Sequence, residues 1–286
     1  MRRTFRILTS MAFAALMSGS ALAADLDQII NAPQEDAYVP VEIGTGWYIR
    51  GDISYDIQTS TSGSYRTYGE VSAGPPPTYA YGSADYDNFE YEAGNDWSVG
   101  MGYQFNSYLR GDLTAGYWKR GVYGTDNDTA PCLTGFATAV GCRSVDTNTA
   151  TGWELMANAY ADLGTYVGIT PYLGAGLGMT RVSYSDLTNT AECYDATGAA
   201  ISTCGYTAVH PGEDSYRFTW ALMAGASYDL SKNLKFDLGY RFSHVAGGSM
   251  FGFDPATAAL GATGVQGEDD GFSTHQIKAG LRYAVW

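Results

Sequence analysis

Residues Phe272–Trp286 read FSTHQIKAGLRYAVW, and their alternation decides the fold. From Ile277 the apolar side chains fall on every second position, at Ile277, Ala279, Leu281, Tyr283 and Val285, with Lys278, Gly280, Arg282 and Ala284 between them. Period two is the mark of a strand with two unlike faces. Termini of soluble domains usually fray. A strand running to a final aromatic is therefore expected to form a seam that has to close, because lipid tolerates no open sheet edge. The soluble alternative is an ordinary edge strand.

Seven further segments alternate in the same way. Gly46–Gln58 sets Trp47, Ile49, Ile53, Tyr55 and Ile57 against Tyr48, Arg50, Asp52, Ser54 and Asp56. Asp96–Phe105 and Tyr108–Lys119 follow, separated by Asn106-Ser107. Next come Gly152–Leu163 and Tyr166–Val182, with a turn near Gly164-Thr165. Tyr216–Leu230 and Leu234–Ser243 are joined through Ser231–Asn233. Each segment has about 10–15 residues, whereas a tilted membrane strand needs ~9–11 and soluble strands cluster near ~5–6. Aromatics mark segment ends at Trp47, Trp97, Trp153, Tyr228 and Tyr283, where lipid headgroups would lie.

The connections alternate long and short. Thr59–Asn95, Arg120–Thr151, Ser183–Ser215 and His244–Gly271 are long and rich in Gly, Ser, Thr, Asn and Asp. Structureless loops beyond ~15 residues are uncommon in soluble domains. Short turns at one end and long loops at the other are expected of an up-and-down membrane barrel. The spacing thus predicts an all-β fold: an eight-stranded antiparallel up-and-down transmembrane β-barrel over residues 46–286, with short periplasmic turns and four long extracellular loops.

The N-terminus carries Arg2, Arg3 and Arg6, an apolar run Ile7–Met17, and small residues at Ala21-Leu22-Ala23. This predicts a cleaved secretory signal peptide over residues 1–24. Residues 25–45, with Pro33 and Pro40, are expected to form a flexible periplasmic lead-in. The formal net charge of -14 at pH 7 becomes more negative once the signal-peptide arginines are removed. Such acidity argues against nucleic acid as a partner, and against simple adhesion to anionic lipid.

The cysteines lie at Cys132, Cys142, Cys193 and Cys204, two in each of the central long connections. Export permits oxidation. Cys132–Cys142 and Cys193–Cys204 are the expected disulfides, while cross-loop pairing stays open.

If the apolar faces meet lipid, the opposite faces point inward. That places Arg50, Asp52, Arg110, Asp112, Glu154, Asp162, Lys235, Asp237, Arg241, Lys278 and Arg282 inside, a near balance of signs in an acidic chain. Paired charges suit a closed, poorly hydrated interior, where a lone charge is costly. Inward glycines such as Gly100, Gly102, Gly174 and Gly280 leave room for long side chains from other strands. A barrel this narrow has room for side chains or one small ligand. Two further functions remain open at this point. A small diffusion channel would need interior pairs such as Arg110 and Asp112 to leave a wet path. An adhesin would use loop tyrosines such as Tyr65, Tyr68, Tyr79 and Tyr81.

The pattern does not point to an enzyme, a cofactor or a metal. Among the histidines His210, His244 and His275, only His244 has Ser249 and Asp254 close by in sequence. There is no GxSxG, HExxH or phosphate-binding glycine loop, and no CxxC accompanies the cysteines.

WYIRGD at Trp47–Asp52, TPYLGAGLG at Thr170–Gly178, FDLGYRFSH at Phe236–His244 and the terminal HQIKAGLRYAVW carry a resemblance. They resemble the Omp25/Omp31-like, opacity-type outer-membrane proteins of alphaproteobacteria, over about Gly46 to Trp286. The resemblance implies a porin-like surface antigen of the Gram-negative outer membrane that contributes to envelope integrity. The implied partners are outer-membrane lipid and lipopolysaccharide, then periplasmic chaperones and the barrel-assembly machinery during biogenesis. A host ligand is left undefined. Ile277, Leu281, Tyr283 and Trp286 would form the assembly signal. The chain departs from the usual signal, because Tyr283 lies three residues before Trp286 instead of two.

Overall fold

The computed structural model describes residues 45–57, 59–128 and 138–285. The expected signal peptide and, save for Thr45, the lead-in lie outside the described residues, as do Cys132 and Trp286. The strands are β1 (Gly46–Asp56), β2 (Thr59–Thr61), β3 (Gly63–Ser72), β4 (Thr78–Asp85), β5 (Asn88–Tyr91), β6 (Gly94–Gln104) and β7 (Leu109–Asp128). They continue with β8 (Ala139–Asp162), β9 (Ile169–Tyr184), β10 (Leu187–Asp195), β11 (Ala200–His210), β12 (Asp214–Asp229), β13 (Leu234–Gly252) and β14 (Val265–Ala284). One short helix, α1 (Pro255–Ala259), lies between β13 and β14.

The expected simple eight-stranded barrel with four loops is corrected here. The described residues form one 14-stranded antiparallel sheet, and all four expected loops contain strands. The first holds β2 to β5, and the third holds the β10–β11 hairpin. In the second, β7 and β8 simply run on, β8 reaching 24 residues. In the fourth, β13 and β14 run on to Gly252 and back from Val265, with α1 between them. The physical reason is that alternation reports two unlike environments. Along β3 and β4, largely exposed on both faces, the backbone ladder persists but the apolar period does not. The Thr- and Tyr-rich composition of these stretches still favours extended backbone.

Pairings pass from β1 to β6, β7, β8, β9, β12, β13 and β14, and β14 pairs β1 again. The remaining strands extend this array at one end. β5 continues beside β7, β10 beside β8, and β3 beside β14. The tight turns lie at the opposite end.

The polarity of the array is inverted relative to a soluble sheet. In β1 the exposed positions include Trp47, Ile49, Ile53 and Tyr55, while Tyr48, Arg50, Asp52, Ser54 and Asp56 are buried. Along β8 and one residue past its end, the apolar outer band runs from Trp153 to Leu163. Ten residues at ~3.3 Å each, tilted by ~40°, rise about 25 Å, the height of a lipid-facing band. Aromatic contacts line both margins: Trp97–Tyr117–Trp153 at one, Trp47–Tyr103–Phe105 at the other.

Strand register makes room inside. Arg50 stands opposite Gly100, Asp52 opposite Gly280, Asp112 opposite Gly102, and Tyr160 opposite Gly174. A Cβ on Gly102 would lie 2.4 Å from the Tyr48 ring, so that backbone approach requires glycine.

Candidate functional site

The enclosed side of the sheet carries three tiers. The lowest lies nearest the tight turns and is built from ion pairs. Arg50 donates to Asp52 at 2.8 and 3.0 Å, to Asp112 at 2.8 Å and to the Tyr160 hydroxyl at 3.0 Å. Asp112 also accepts from Tyr48 at 3.1 Å and Asn158 at 2.8 Å. Lys278 meets Asp52 at 3.2 Å. Arg110 pairs with Asp162 at 3.0 Å and lies over the Tyr160 and Tyr172 rings. Arg282 pairs with Asp237, Arg241 with Glu154, and Lys235 with Asp229. Arg110 and Asp112, expected as partners, belong to different pairs. Residues two apart on a strand share a face, but their heads turn to carboxylates and guanidiniums across the interior.

Several members escaped the sequence. Arg120 pairs with Asp56 and Asp96, and Arg217 pairs with Asp269 at 2.6 Å. Arg120 and Asp269 fell in stretches read as loops. A signal was present for Arg120: Arg110, Asp112, Thr114, Gly116 and Trp118 precede it at the same parity.

The middle tier is apolar, which the expected polar interior did not include. Phe89, Tyr91, Trp118, Val122, Ala150, Val182, Tyr184, Val245 and Phe272 form one buried cluster with Leu187, Met250 and Phe251. Ring centroids of Tyr91 and Phe272 are 4.4 Å apart, and Trp118 meets Phe272 edge-on at 5.7 Å. Trp118 lies over Gly152, where a Cβ would come within 2.0 Å of the indole. Between this stopper and the ion-paired tier is space of about 40 Å³. That holds a water or two, against the ~300 Å³ or more of a small-molecule pocket.

The top tier is a cup of about 1010 Å³ among the hairpins. Asp126, Asp146, Asp186, Asp254 and His210 line it, with aromatic walls that include Tyr68, Tyr206 and Phe253. Burial pushes the Asp146 carboxyl up from its ordinary range, though Asn189 and His210 oppose this.

Other expected site residues fall as follows. Cys193 and Cys204 form a disulfide across β10 and β11, with Cα atoms 5.3 Å apart. The Cys132–Cys142 expectation involves a residue outside the described ones. Ile277, Leu281 and Tyr283 point outward from β14 and are about half exposed. His244, Ser249 and Asp254 have separate partners: His244 meets Ser273 at 3.0 Å, the Ser249 carbonyl accepts from Arg217, and Asp254 caps α1. Among the described residues no group of three or more His, Cys, Asp or Glu is placed to hold a metal. Tyr68 stacks on Tyr79 and meets Tyr81 at a tilt along the β3–β4 hairpin.

An apolar belt outside, paired charges inside and hairpins at one end define an outer-membrane β-barrel protein of a Gram-negative bacterium. The model of the outer membrane protein beta-barrel domain matches residues 11–284, and the chain belongs to that family. The family is defined by its barrel and not by a reaction. An uncharacterized protein of Brucella suis biovar 1 is 35% identical over 283 residues, covering 94% of each chain. An uncharacterized protein of Brucella abortus strain 2308 is 36% identical over 286 residues, again covering 94% of each. Neisserial surface protein A aligns with 85% of this chain and 99% of its own, at 16% identity and a TM-score of 0.40.

Proposed function

We propose that this protein is a sealed barrel that stabilises the outer membrane and holds acidic, tyrosine-rich hairpins at the cell surface. The observation that carries this is the aromatic stopper above the ion-paired tier. Closely packed rings leave no solute path, and each buried charge below them is compensated. The outer apolar band would be solvated by lipid and lipopolysaccharide. β14, with its outward Ile277, Leu281 and Tyr283, would be what periplasmic chaperones and the barrel-assembly machinery engage. In an outer-membrane barrel the tight turns are periplasmic and the hairpins external.

The test is single-channel recording of the refolded protein in a planar bilayer, with folding verified by a heat-dependent gel shift. The wild type should be silent. A Trp118→Ala/Phe272→Ala variant that still shows the gel shift should open discrete steps, at a stability cost of roughly 3–5 kcal/mol per ring. Reproducible wild-type steps would overturn the sealed barrel in favour of a diffusion channel. A companion measurement is envelope permeability after gene deletion, which should rise.

A further inference from the structure

The ion-paired tier holds more carboxylates than cations. Among the described residues, nine contacts there join seven cations to eight carboxylates. The surplus lies in one place. Arg50 and Lys278 together serve Asp52 and Asp112, and the pairs made by Arg110, Lys235, Arg241 and Arg282 are one to one. Arg120 alone meets two acids of its own, Asp56 of β1 and Asp96 of β6, and both reach the same nitrogen, Nη2. Its Nη1 is occupied with the Lys119 carbonyl at 3.1 Å. Asp56 is 2% exposed, and Asp96 and Arg120 are buried with it.

The groups packed around the two acids supply no spare positive charge. Arg241 of β13 and Lys278 of β14 face Asp96 from further away. Arg241 is taken by Glu154 of β8 at 2.8 Å and by Gln276 at 2.7 Å, and Lys278 by Asp52 at 3.2 Å. Gln276 of β14 donates to Asp96 Oδ2 at 2.7 Å. Glu92, just past β5, brings a further negative charge, and Tyr91 of β5 is bonded to Tyr184. The two acids are also unequally served. Both oxygens of Asp96 have donors, whereas Asp56 Oδ1 is buried with no hydrogen-bond partner among the described residues. A bare oxygen costs far more on an ionised carboxylate than on a neutral carboxyl. Two buried carboxylates against one guanidinium cannot both stay ionised cheaply, and such a pair titrates as a unit.

We propose that Asp56 and Asp96 share one proton at neutral pH, and that this proton completes the tie that Arg120 makes between β1, β6 and β7 beneath the stopper. Asp96 keeps the negative charge, since Arg120 and Gln276 both donate to it. Asp56 carries the proton, since its Oδ1 has no donor. The eighth carboxylate is then neutral and the tier is balanced. Arg120 also lies 5.6 Å from the centre of the Trp118 ring, so the tie reaches the stopper itself. Loss of the proton at higher pH sets two full negative charges on one guanidinium and loosens β1 and β6 from β7 at that level.

The first measurement is infrared spectroscopy of the refolded full-length protein in nanodiscs, following the carbonyl stretch of a protonated carboxyl. The wild type at pH 7 should show this band, and the wild-type minus Asp56→Asn difference should contain it. Asp96→Asn should remove it as well, because Asp56 then has Arg120 to itself and ionises. A wild-type spectrum without the band, or a band of equal size in both variants, would overturn the shared proton. The second measurement is urea unfolding of wild type and Asp56→Asn against pH. Unfolded aspartates ionise near ~3.9, so above that value the folded wild type holds one proton more than the unfolded chain. Relative to Asp56→Asn, its folding constant should therefore fall about tenfold per pH unit from about pH 5 to about pH 7, the slope of one proton. Parallel pH profiles would show that the proton does not support the tie and would overturn its role.

Discussion

Two aspartates in the ion-paired tier should respond to truncation in the order opposite to their bond counts. Asp112 accepts three hydrogen bonds, from Arg50, Tyr48 and Asn158. Asp162 accepts from Arg110 at 3.0 Å and, more weakly, from Gln104 at 3.3 Å. Removing one partner of a buried ion pair costs roughly 3–5 kcal/mol, mainly for the charge left behind. Each donor to Asp112 keeps a second partner. Arg50 retains Asp52 and the Tyr160 hydroxyl, Tyr48 retains the Gly111 carbonyl at 3.3 Å, and Asn158 retains Thr114 at 3.1 Å. Arg110 has no comparable reserve. Its Nη1 and Nη2 are buried without hydrogen-bond partners among the described residues, leaving the Tyr160 and Tyr172 ring faces and the Asp237 carboxylate beyond contact distance. Asp112→Ala should therefore fall near the low end, about 3 kcal/mol, and Asp162→Ala near the high end, about 5 kcal/mol. The assay is equilibrium urea unfolding in phospholipid micelles, with the slope checked for constancy. The matched double variant Arg110→Met/Asp162→Leu should recover most of the loss, since removing both charges removes the orphan. Equal costs for the two aspartates, or a larger one for Asp112, would refute the idea that residual partners set the cost.

Gly152→Ala should destabilise strongly, because its Cβ would lie 2.0 Å from the Trp118 indole, while Gly51→Ala, with nothing within 4 Å, should be nearly neutral. The same unfolding assay reads both, and comparable effects would show that Trp118 relaxes freely. Reduction of Cys193–Cys204, which are 11 residues apart, should remove at most about 2.8 kcal/mol from the β10–β11 hairpin by the loop-entropy relation. Limited proteolysis should then cut the hairpin while the gel shift of the barrel persists; loss of the shift would show that the hairpin supports the whole fold. Burial alone would raise the Asp254 carboxyl, but Thr257, the Ala256 amide and the positive side of His210 hold it below the usual range. A group with a depressed folded pKa contributes stability above the unfolded value of ~3.9, and loses it as pH falls through the folded one. The Thr257 amide shift should accordingly titrate with a midpoint below ~3.9, and a midpoint above it would remove the cap from the account of α1.

Sequence alone determined the character of the wall. Along β1 and β14 one parity meets an apolar surround and the other a polar one, so Ile49, Ile53, Ile277 and Leu281 alternate with Arg50, Asp52, Lys278 and Arg282, and period two follows. Parity alone puts Arg50, Asp52, Arg110, Asp112, Glu154, Asp237, Arg241, Lys278 and Arg282 on the polar faces of their strands. Who pairs with whom was not. Arg110 finds Asp162, 52 positions away, because the β7–β8 register sets Arg110 opposite Tyr160, two residues from Asp162 on the same face. The hairpin strands were also hidden, since β3 and β4 are largely exposed on both faces, which erases the apolar period while leaving the backbone ladder intact, and β5 is too short to set one. The stopper required the tertiary structure for a different reason. Phe89, Tyr91, Trp118, Tyr184 and Phe272 are scattered along the chain, and nothing in their local sequence separates an inward ring from an outward one. The cup needed it most of all. His210 becomes buried only when the β10–β11 hairpin, α1 and the ends of β7 and β8 are set around it. Local patterning records the solvent on each side of a strand, whereas long-range pairing decides which side chains share the space within.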